Sequence, residues 1–487
     1  MIGLGLLTLL LLCPAVGLAV ILAIPGRYPK AIKTAAALSG LSACLVTLAI
    51  CLRFESAAPG YQLVEKIAWI PTLGISYHHG IDGISLPMLV LTSIVFTTGV
   101  LVMWELQERV KEYFAFMTLL VSGVYGVFMS LDLFFFVFWY EVAVLPMYLL
   151  IAIWGSTRKE YGAMKLTLYL LAGTALVVPA ALALYWAAGV NSFDLTQLAA
   201  ADYGRRFQII VYPLLFVGFG ILAGMWPLHT WSPVGHVAAP TAVSMLHAGV
   251  LMKLGAYGIL RVGMLVLPEG AVYWAPWVAG LATVNIVYGA FVALAQTDLK
   301  FVIGFSSVSH MGIVLLGLST LSVDGINGAV FQMFSHGIMT ALFFAAVGFI
   351  YDRYHTREIA KLGGLSRLVP IASVFFIVAA LTGAGVPGFA SFWAELLVFL
   401  GTLRTYPVLA AIVVGALTLT LAYSIRVIVV AFFGEPREAH PAVKDITVFL
   451  ALPRAILVAV LLVLGFYPRL ILDVIDPATR ALVAIFQ

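Results

Sequence analysis

Glu141 stands inside the apolar run Leu133–Pro146, with no hydrophilic residue near it. Lys165, Lys253 and Glu395 stand in or near similar runs. An ionised group at the centre of a bilayer costs roughly 2.5–3.5 kcal/mol on insertion scales, and such groups pair with one another and mark ion or proton paths. Burial favours the neutral form of each group and a nearby opposite charge favours the ionised form. That balance suits proton transfer. Lys253 sits between glycine-rich turns, Gly249 on one side and Gly255 and Gly258 on the other, which lets neighbouring helices come close. Its mid-run position argues against an amine reaching out to an interface.

Histidine is the other candidate carrier, because it donates, accepts and titrates near neutral pH. His229, His310 and His336 are single histidines in apolar or small-polar surroundings. The bland alternative for each is a satisfied core residue, and for the buried charges a structural ion pair. No His/Glu spacing fits a metal site, and no glycine-rich phosphate loop occurs. Cys13, Cys44 and Cys51 fit neither a metal knuckle nor a disulfide frame. The sequence therefore predicts no metal, cofactor or redox centre in this chain.

Composition fixes what must hold these residues. The chain of 487 residues is 63% hydrophobic and 10% charged, against about 25% charged for a soluble domain. Its mean hydropathy is +1.09. The fold class is an all-α polytopic membrane protein, since a lipid-exposed backbone must satisfy its own hydrogen bonds. The net charge of +4 is spread over short loops, so no basic stripe points to nucleic acid. Runs long enough to span lie near 2–24, 31–53, 84–104, 113–131, 133–154, 163–189, 207–226, 241–266, 272–296, 300–321, 326–351, 368–403, 406–433 and 446–472. That makes about fourteen spans. The stretch from Met1 to Ile24 reads as a retained first helix, because no basic residue precedes its apolar part. With an external N-terminus, the inner loops collect more Lys and Arg than the outer ones, Arg357, Lys361 and Arg437 among them. The bias predicts both termini outside. The longest hydrophilic connections, 54–83 and 190–206, are too short for a domain.

Two spans are interrupted. Pro227, Pro233 and Pro240 punctuate one, and Pro387, within Gly383–Gly388, the other. Proline lacks the amide hydrogen and clashes with the preceding turn, so helix breaks are expected at these positions. A broken helix in each half of the chain points to a transporter built from inverted repeats.

These runs resemble a known family. Gly80-Ile81-Asp82-Gly83-Ile84-Ser85-Leu86, Met129-Ser130-Leu131-Asp132-Leu133-Phe134, Pro146-Met147-Tyr148, Leu228-His229-Thr230-Trp231, Asp298-Leu299-Lys300, Ser306-Ser307-Val308-Ser309-His310-Met311-Gly312 and Ser335-His336-Gly337 are similar to subunit M of proton-translocating NADH-quinone oxidoreductase, the respiratory complex I family. The likeness covers about residues 75 to 435. It implies fourteen helices with inverted five-helix repeats: N-terminal helices in 1–111, a first repeat in 112–266 with helix 7 broken, a second in 267–433 with helix 12 broken, and a last helix in 434–487. By motif, Glu141, Lys253 and Glu395 fall on the glutamate where protons come in, the central lysine and the glutamate where they leave. Lys165, His229, His310 and His336 fall on family positions along the hydrophilic axis. The resemblance also implies NADH, FMN, iron–sulfur clusters and quinone in partner subunits, paralogous antiporter-like subunits and lipid as neighbours, and a bacterial-type inner membrane.

The family places a lysine five residues before the proline of its Pro-Leu-His motif, where it pairs with the fifth-helix glutamate. Here that position is Leu222, and Val234 stands where an aspartate is usual. The expected function is proton translocation driven by quinone reduction elsewhere. The alternatives are a subunit of a cation/proton antiporter or membrane-bound hydrogenase, or a structural subunit whose channel Leu222 disables.

Overall fold

A computed structural model describes residues 5–435 and 443–487. Arg437 lies outside them. Thirteen helices among the described residues are long and apolar enough to cross a membrane. They are α1 (Leu6–Ala23), α2 (Pro29–Arg53), α3 (Ser85–Val102), α4 (Val110–Met129), α5 (Leu133–Trp154), α6 (Lys159–Ala188), α7 (Gly204–Leu222), α9 (Thr241–Met264), α10 (Pro268–Ala295), α11 (Leu299–Ser319), α12 (Val323–Tyr354), α15 (Pro407–Phe432) and α16 (Val448–Phe466). The short α8 (Trp231–Ala238) follows α7. The remaining expected span, 368–403, is divided into α13 (Pro370–Gly383) and α14 (Ala390–Thr405). An amphipathic helix, α17 (Arg469–Val483), follows the last span and buries Ile471, Ile475 and Leu482.

The hydrophilic connection 54–83 contains a hairpin of β1 (Gln62–Ile70) and β2 (Ile75–Ile81). Its register pairs Glu65 with His79 and Ile67 with Tyr77. Glu65 accepts from the Leu7 amide at 2.9 Å and so caps the start of α1. On the same face Asn327 donates to Asp476 at 2.8 Å, which joins α12 to α17. The start of α1 and α17 therefore lie on one face, the termini face.

The two breaks are made alike. α7 ends with Met225 N–H bonded to Gly220 O and Gly224 at φ +77°. α13 ends with Val386 N–H bonded to Leu381 O and Gly385 at φ +66°. Each is a six-to-one cap closed by a left-handed glycine, with proline shortly after. The carbonyls freed at the first break find donors: Trp231 Nε1 reaches Ile221 O at 2.9 Å. Asn285 ties the same loop down, accepting from Trp226 N at 2.7 Å and donating to Val308 O at 2.8 Å. Pro227 and Pro387 lie in the breaks, and Pro240 separates α8 from α9. Pro233 does not break a helix. It stands in the first turn of α8, where its absent N–H has no partner to lose.

Burial ranks the helices. The spanning windows of α9 and α12 are completely buried, while only a third of those of α1, α2, α6 and α15 is. α9 and α12 touch through backbone: a Cβ on Gly337 would stand 2.6 Å from Gly249 O. That contact, available only to glycine, sets Lys253 beside His336.

Candidate proton path

The central group is Lys253, wholly buried on α9. The helix widens to a π turn over His247–Leu251. Lys253 leans back toward the helix start, as helical side chains do, and donates to Ala248 O. Its Nζ also lies 2.7 Å from His336 Nδ1. A charged amine donates there, which leaves the imidazole proton of His336 on Nε2.

The next group is His310 on α11, its ring centroid 5.2 Å from that of His336. Gln332 Nε2 lies 3.1 Å from His310 Nδ1. Ser335 Oγ donates to Gln332 Oε1 at 3.1 Å, which turns the amide N–H toward the imidazole. Glu395 Oε1 stands 3.5 Å from the same Nδ1. One nitrogen thus faces a donor and an acid. Neutral, it accepts from Gln332; protonated, it pairs with Glu395. Glu395 is 7% exposed and its Oε1 has no hydrogen-bond partner. It lies against the second break, since a Cβ on Gly385 would meet its Oε2 at 2.5 Å. Lys253, His336, His310 and Glu395 therefore form one buried line.

The other half is different. Glu141 is half-buried on α5 and accepts from Thr174 Oγ1 at 2.6 Å. No ion pair within 4.0 Å involves Glu141 or Lys165 among the described residues. The Lys165 ammonium lies 5.8 and 6.0 Å from the ring centroids of Tyr161 and Tyr169. Tyr169 OH in turn accepts from Thr230 at 3.2 Å. His229 is buried against Tyr288, ring centroids 5.0 Å apart. Leu222 is fully buried at the end of α7 and supplies no charge.

Two histidines that sequence reasoning passed over lie between the halves. His236 on α8 and His247 on α9 are buried with ring centroids 4.1 Å apart. His247 precedes Lys253 by six residues on one helix, which was the available signal. On the face opposite the termini, Lys300 donates to Ala239 O at 2.7 Å and Arg357 to Val237 O at 3.2 Å. These cations meet the C-terminal carbonyls of α8, the end a helix dipole makes negative.

On the termini face, Asp194 receives His78 at 3.1 Å and Lys66 at 2.6 Å. Burial pushes its carboxyl up, but the bonds from His78, Lys66 and Thr196 outweigh this and hold it well below the usual carboxylate range. Burial, with His78 adjacent, pushes the His79 imidazole down to about 3.

A many-helix membrane fold with two broken helices around a buried Lys/His/Glu line defines an antiporter-like membrane subunit. The family described as NADH:quinone oxidoreductase/Mrp antiporter, TM, matches residues 130–420. "NADH-quinone oxidoreductase subunit M" of Rhodobacter capsulatus is 38% identical over 453 residues, 90% of this chain and 88% of that one. "NAD(P)H-quinone oxidoreductase chain 4 1" of Synechococcus elongatus is 36% identical over 496 residues, 99% of this chain and 92% of that one. A chain of respiratory complex I from Thermus thermophilus superposes with a TM-score of 0.91 at 25% identity, covering 99% of this chain and 100% of its own. A chain of the Mrp complex from Dietzia shares the fold, with a TM-score of 0.85 at 23% identity over 97% of each chain. The chain belongs to the subunit M family of antiporter-like membrane subunits of complex I-type quinone oxidoreductases.

Proposed function

We propose that this membrane-arm subunit moves protons through a relay of Glu141, Lys165, His229, Lys253, His336, His310 and Glu395, driven by quinone reduction in other subunits. The observation that supports the reading is the buried succession of Lys253, His336, His310 and Glu395, with Lys253 Nζ 2.7 Å from His336, the two imidazole centroids 5.2 Å apart and Glu395 3.5 Å from His310. Buried ionisable groups in a membrane are expensive and persist where they serve transport. In this reading NADH, FMN, iron–sulfur clusters and quinone bind partner subunits and none binds this chain. Paralogous antiporter-like subunits and lipid cover its apolar rim. The membrane is a bacterial-type inner membrane with both termini outside.

The repeats run over 112–266 and 267–433. The twin caps at Gly224 and Gly385 support this. So do the matching helix starts at Asp132 and Asp298, each accepting from amides two and three residues on. Each aspartate also bridges a later loop, Asp132 to Asp194 and Asp298 to Glu358.

A second reading has one observation in its favour. With Leu222 buried and Glu141 bonded to a hydroxyl, Glu141 has no ion pair within 4.0 Å among the described residues. A subunit with a silent channel would look like this. Lys253→Ala separates the two. In assembled complex reconstituted in vesicles it is expected to cut protons moved per quinone reduced. An unchanged ratio would favour the silent subunit.

A further inference from the structure

Two helical turns beyond Lys253, α9 reaches a surface cavity of about 150 Å³ on the termini face. Its polar lining is Ser56, Tyr61, Asp82 and Arg261, beside Leu265 and Pro477. A surface cavity of this size, with a few polar groups in a mainly apolar wall, has room for water. Lys253, Tyr257 and Arg261 follow at four-residue spacing and so share one helix face. Eight residues rise at most roughly 12 Å, the α-helical value, because α9 widens again to a π turn over Ile259–Met264. A relay passing through Lys253 therefore runs close to water on the termini side, far short of the route through His310 and Glu395. Unless something closes this short way, the proton escapes along it or returns by it.

What stands there is unsuited to carrying protons. Arg261 is buried and ion-paired with Asp82. Asp82 is held in turn by the amides of Ile84 and Ser85, both at 3.0 Å. Guanidinium does not deprotonate in proteins, so Arg261 cannot pass a proton on. Arg261 Nε donates to Tyr257 OH at 3.2 Å, and Tyr257 OH donates to Phe128 O at 2.9 Å. That chain of donors has one direction and ends in a backbone carbonyl. The rings of Phe128 and Phe136 pack on Tyr257 at 5.1 and 6.2 Å. They set apolar rings against Tyr257.

We infer that Arg261, positioned by Asp82 and Tyr257, seals the central lysine from the cavity and so forces the proton along the His336–His310–Glu395 line. Arg261 is here a positioning residue and not a member of the relay. The inference rests on the proposed translocation.

The test uses assembled complex in sealed vesicles, with passive decay of an imposed pH gradient as the readout. The double variant Arg261→Gln with Asp82→Asn replaces the ion pair by two amides and leaves no orphan charge. Its decay is expected to be at least about tenfold faster, the scale of an added proton-transfer route. Adding Lys253→Ala to that background is expected to restore slow decay. Arg261→Lys keeps the partner of Asp82 but offers an amine able to lose its proton, and it should leak in the same sense. Slow decay in both Arg261 variants overturns the seal. So does a leak that survives Lys253→Ala, because it reports general loosening. Lys253→Ala alone, with pumping intact, would instead overturn the translocation reading on which the seal depends.

Discussion

Lys253 Nζ and His336 Nδ1 are 2.7 Å apart, although 83 residues separate them in the chain. Both groups are wholly buried, and the close approach of Gly249 and Gly337 brings α9 and α12 together beside them. The pair works as a relay only if Lys253 can give up its proton. Arginine keeps the charge but does not deprotonate. Lys253→Arg is therefore expected to lower proton translocation as much as Lys253→Ala does, by at least about tenfold, while quinone reduction continues. Vesicle acidification per quinone reduced checks this. Normal pumping with arginine would mean that charge alone suffices.

The break between α13 and α14 gives a second expectation. Gly385 has φ +66° and its missing Cβ would sit 2.5 Å from Glu395 Oε2. Alanine there costs about 1–2 kcal/mol of left-handed strain and also displaces the carboxylate. Gly224→Ala meets the same backbone strain at φ +77°, but its Cβ would touch Met252 Cε, the far end of a flexible chain. Both variants should lower the thermal stability of the complex by similar amounts. Only Gly385→Ala should also depress pumping strongly. Equal pumping losses would show that the carboxylate position is not what Gly385 protects.

Much of this site was legible because its signals are local. Pro227 and Pro387 announce two breaks, whereas the left-handed glycine cap ahead of each, Gly224 and Gly385, emerges only from the backbone. Lys253 and Glu395 stand out because no apolar helix needs them. What stayed hidden depends on which helices meet. The stacking of His236 on His247, the competition of Gln332 and Glu395 for one nitrogen of His310, and the Arg261–Asp82 pair all join residues from different elements. Nothing in the 54–83 composition separates a hairpin from a loop, since Glu65 and Lys66 interrupt the alternation of β1. The partner of Glu141 was hidden too: Thr174 is one of many small polar residues in an apolar helix and carries no charge to mark it.

That hairpin should be acid-sensitive. The His79 imidazole is held at about 3 in the folded state against an ordinary 6.5. Between those values the opened hairpin binds a proton that the folded one refuses, so stability rises with pH and falls on acidification. The slope approaches about 1.4 kcal/mol per pH unit below pH 6.5. Asp194 adds in the same direction at lower pH: its carboxyl is depressed, so its contribution is present above the ordinary carboxylate value and lost below it. Hydrogen exchange of residues 62–81, corrected for intrinsic rates, should lose protection from pH 7 to pH 5. His79→Phe, which keeps the ring beside Tyr77 but cannot titrate, should flatten that dependence. An identical pH dependence in the variant would remove His79 as its cause.

Leu222 offers the sharpest test of the first half. It is fully buried at the end of α7, where related proteins would place a cation by the resemblance of the Pro-Leu-His motif. Glu141, bonded to Thr174, has no ion-pair partner among the described residues. A lysine buried at position 222 without a partner costs roughly 3 kcal/mol. With Glu141 in reach, pairing removes an isolated charge from a low dielectric and offsets most of that cost. Leu222→Lys should then assemble in the parent chain and destabilise the complex markedly in the Glu141→Gln background. The difference between the two backgrounds measures the coupling directly, because the double-mutant cycle cancels what each change does alone. A restored pair should also raise the number of protons moved per quinone if the first half is silent for want of a cation. Suppose instead that Leu222→Lys is equally tolerated with and without Glu141. Positions 141 and 222 then do not face each other, and Lys165, on the helix that already supplies Thr174, becomes the cation to test against Glu141.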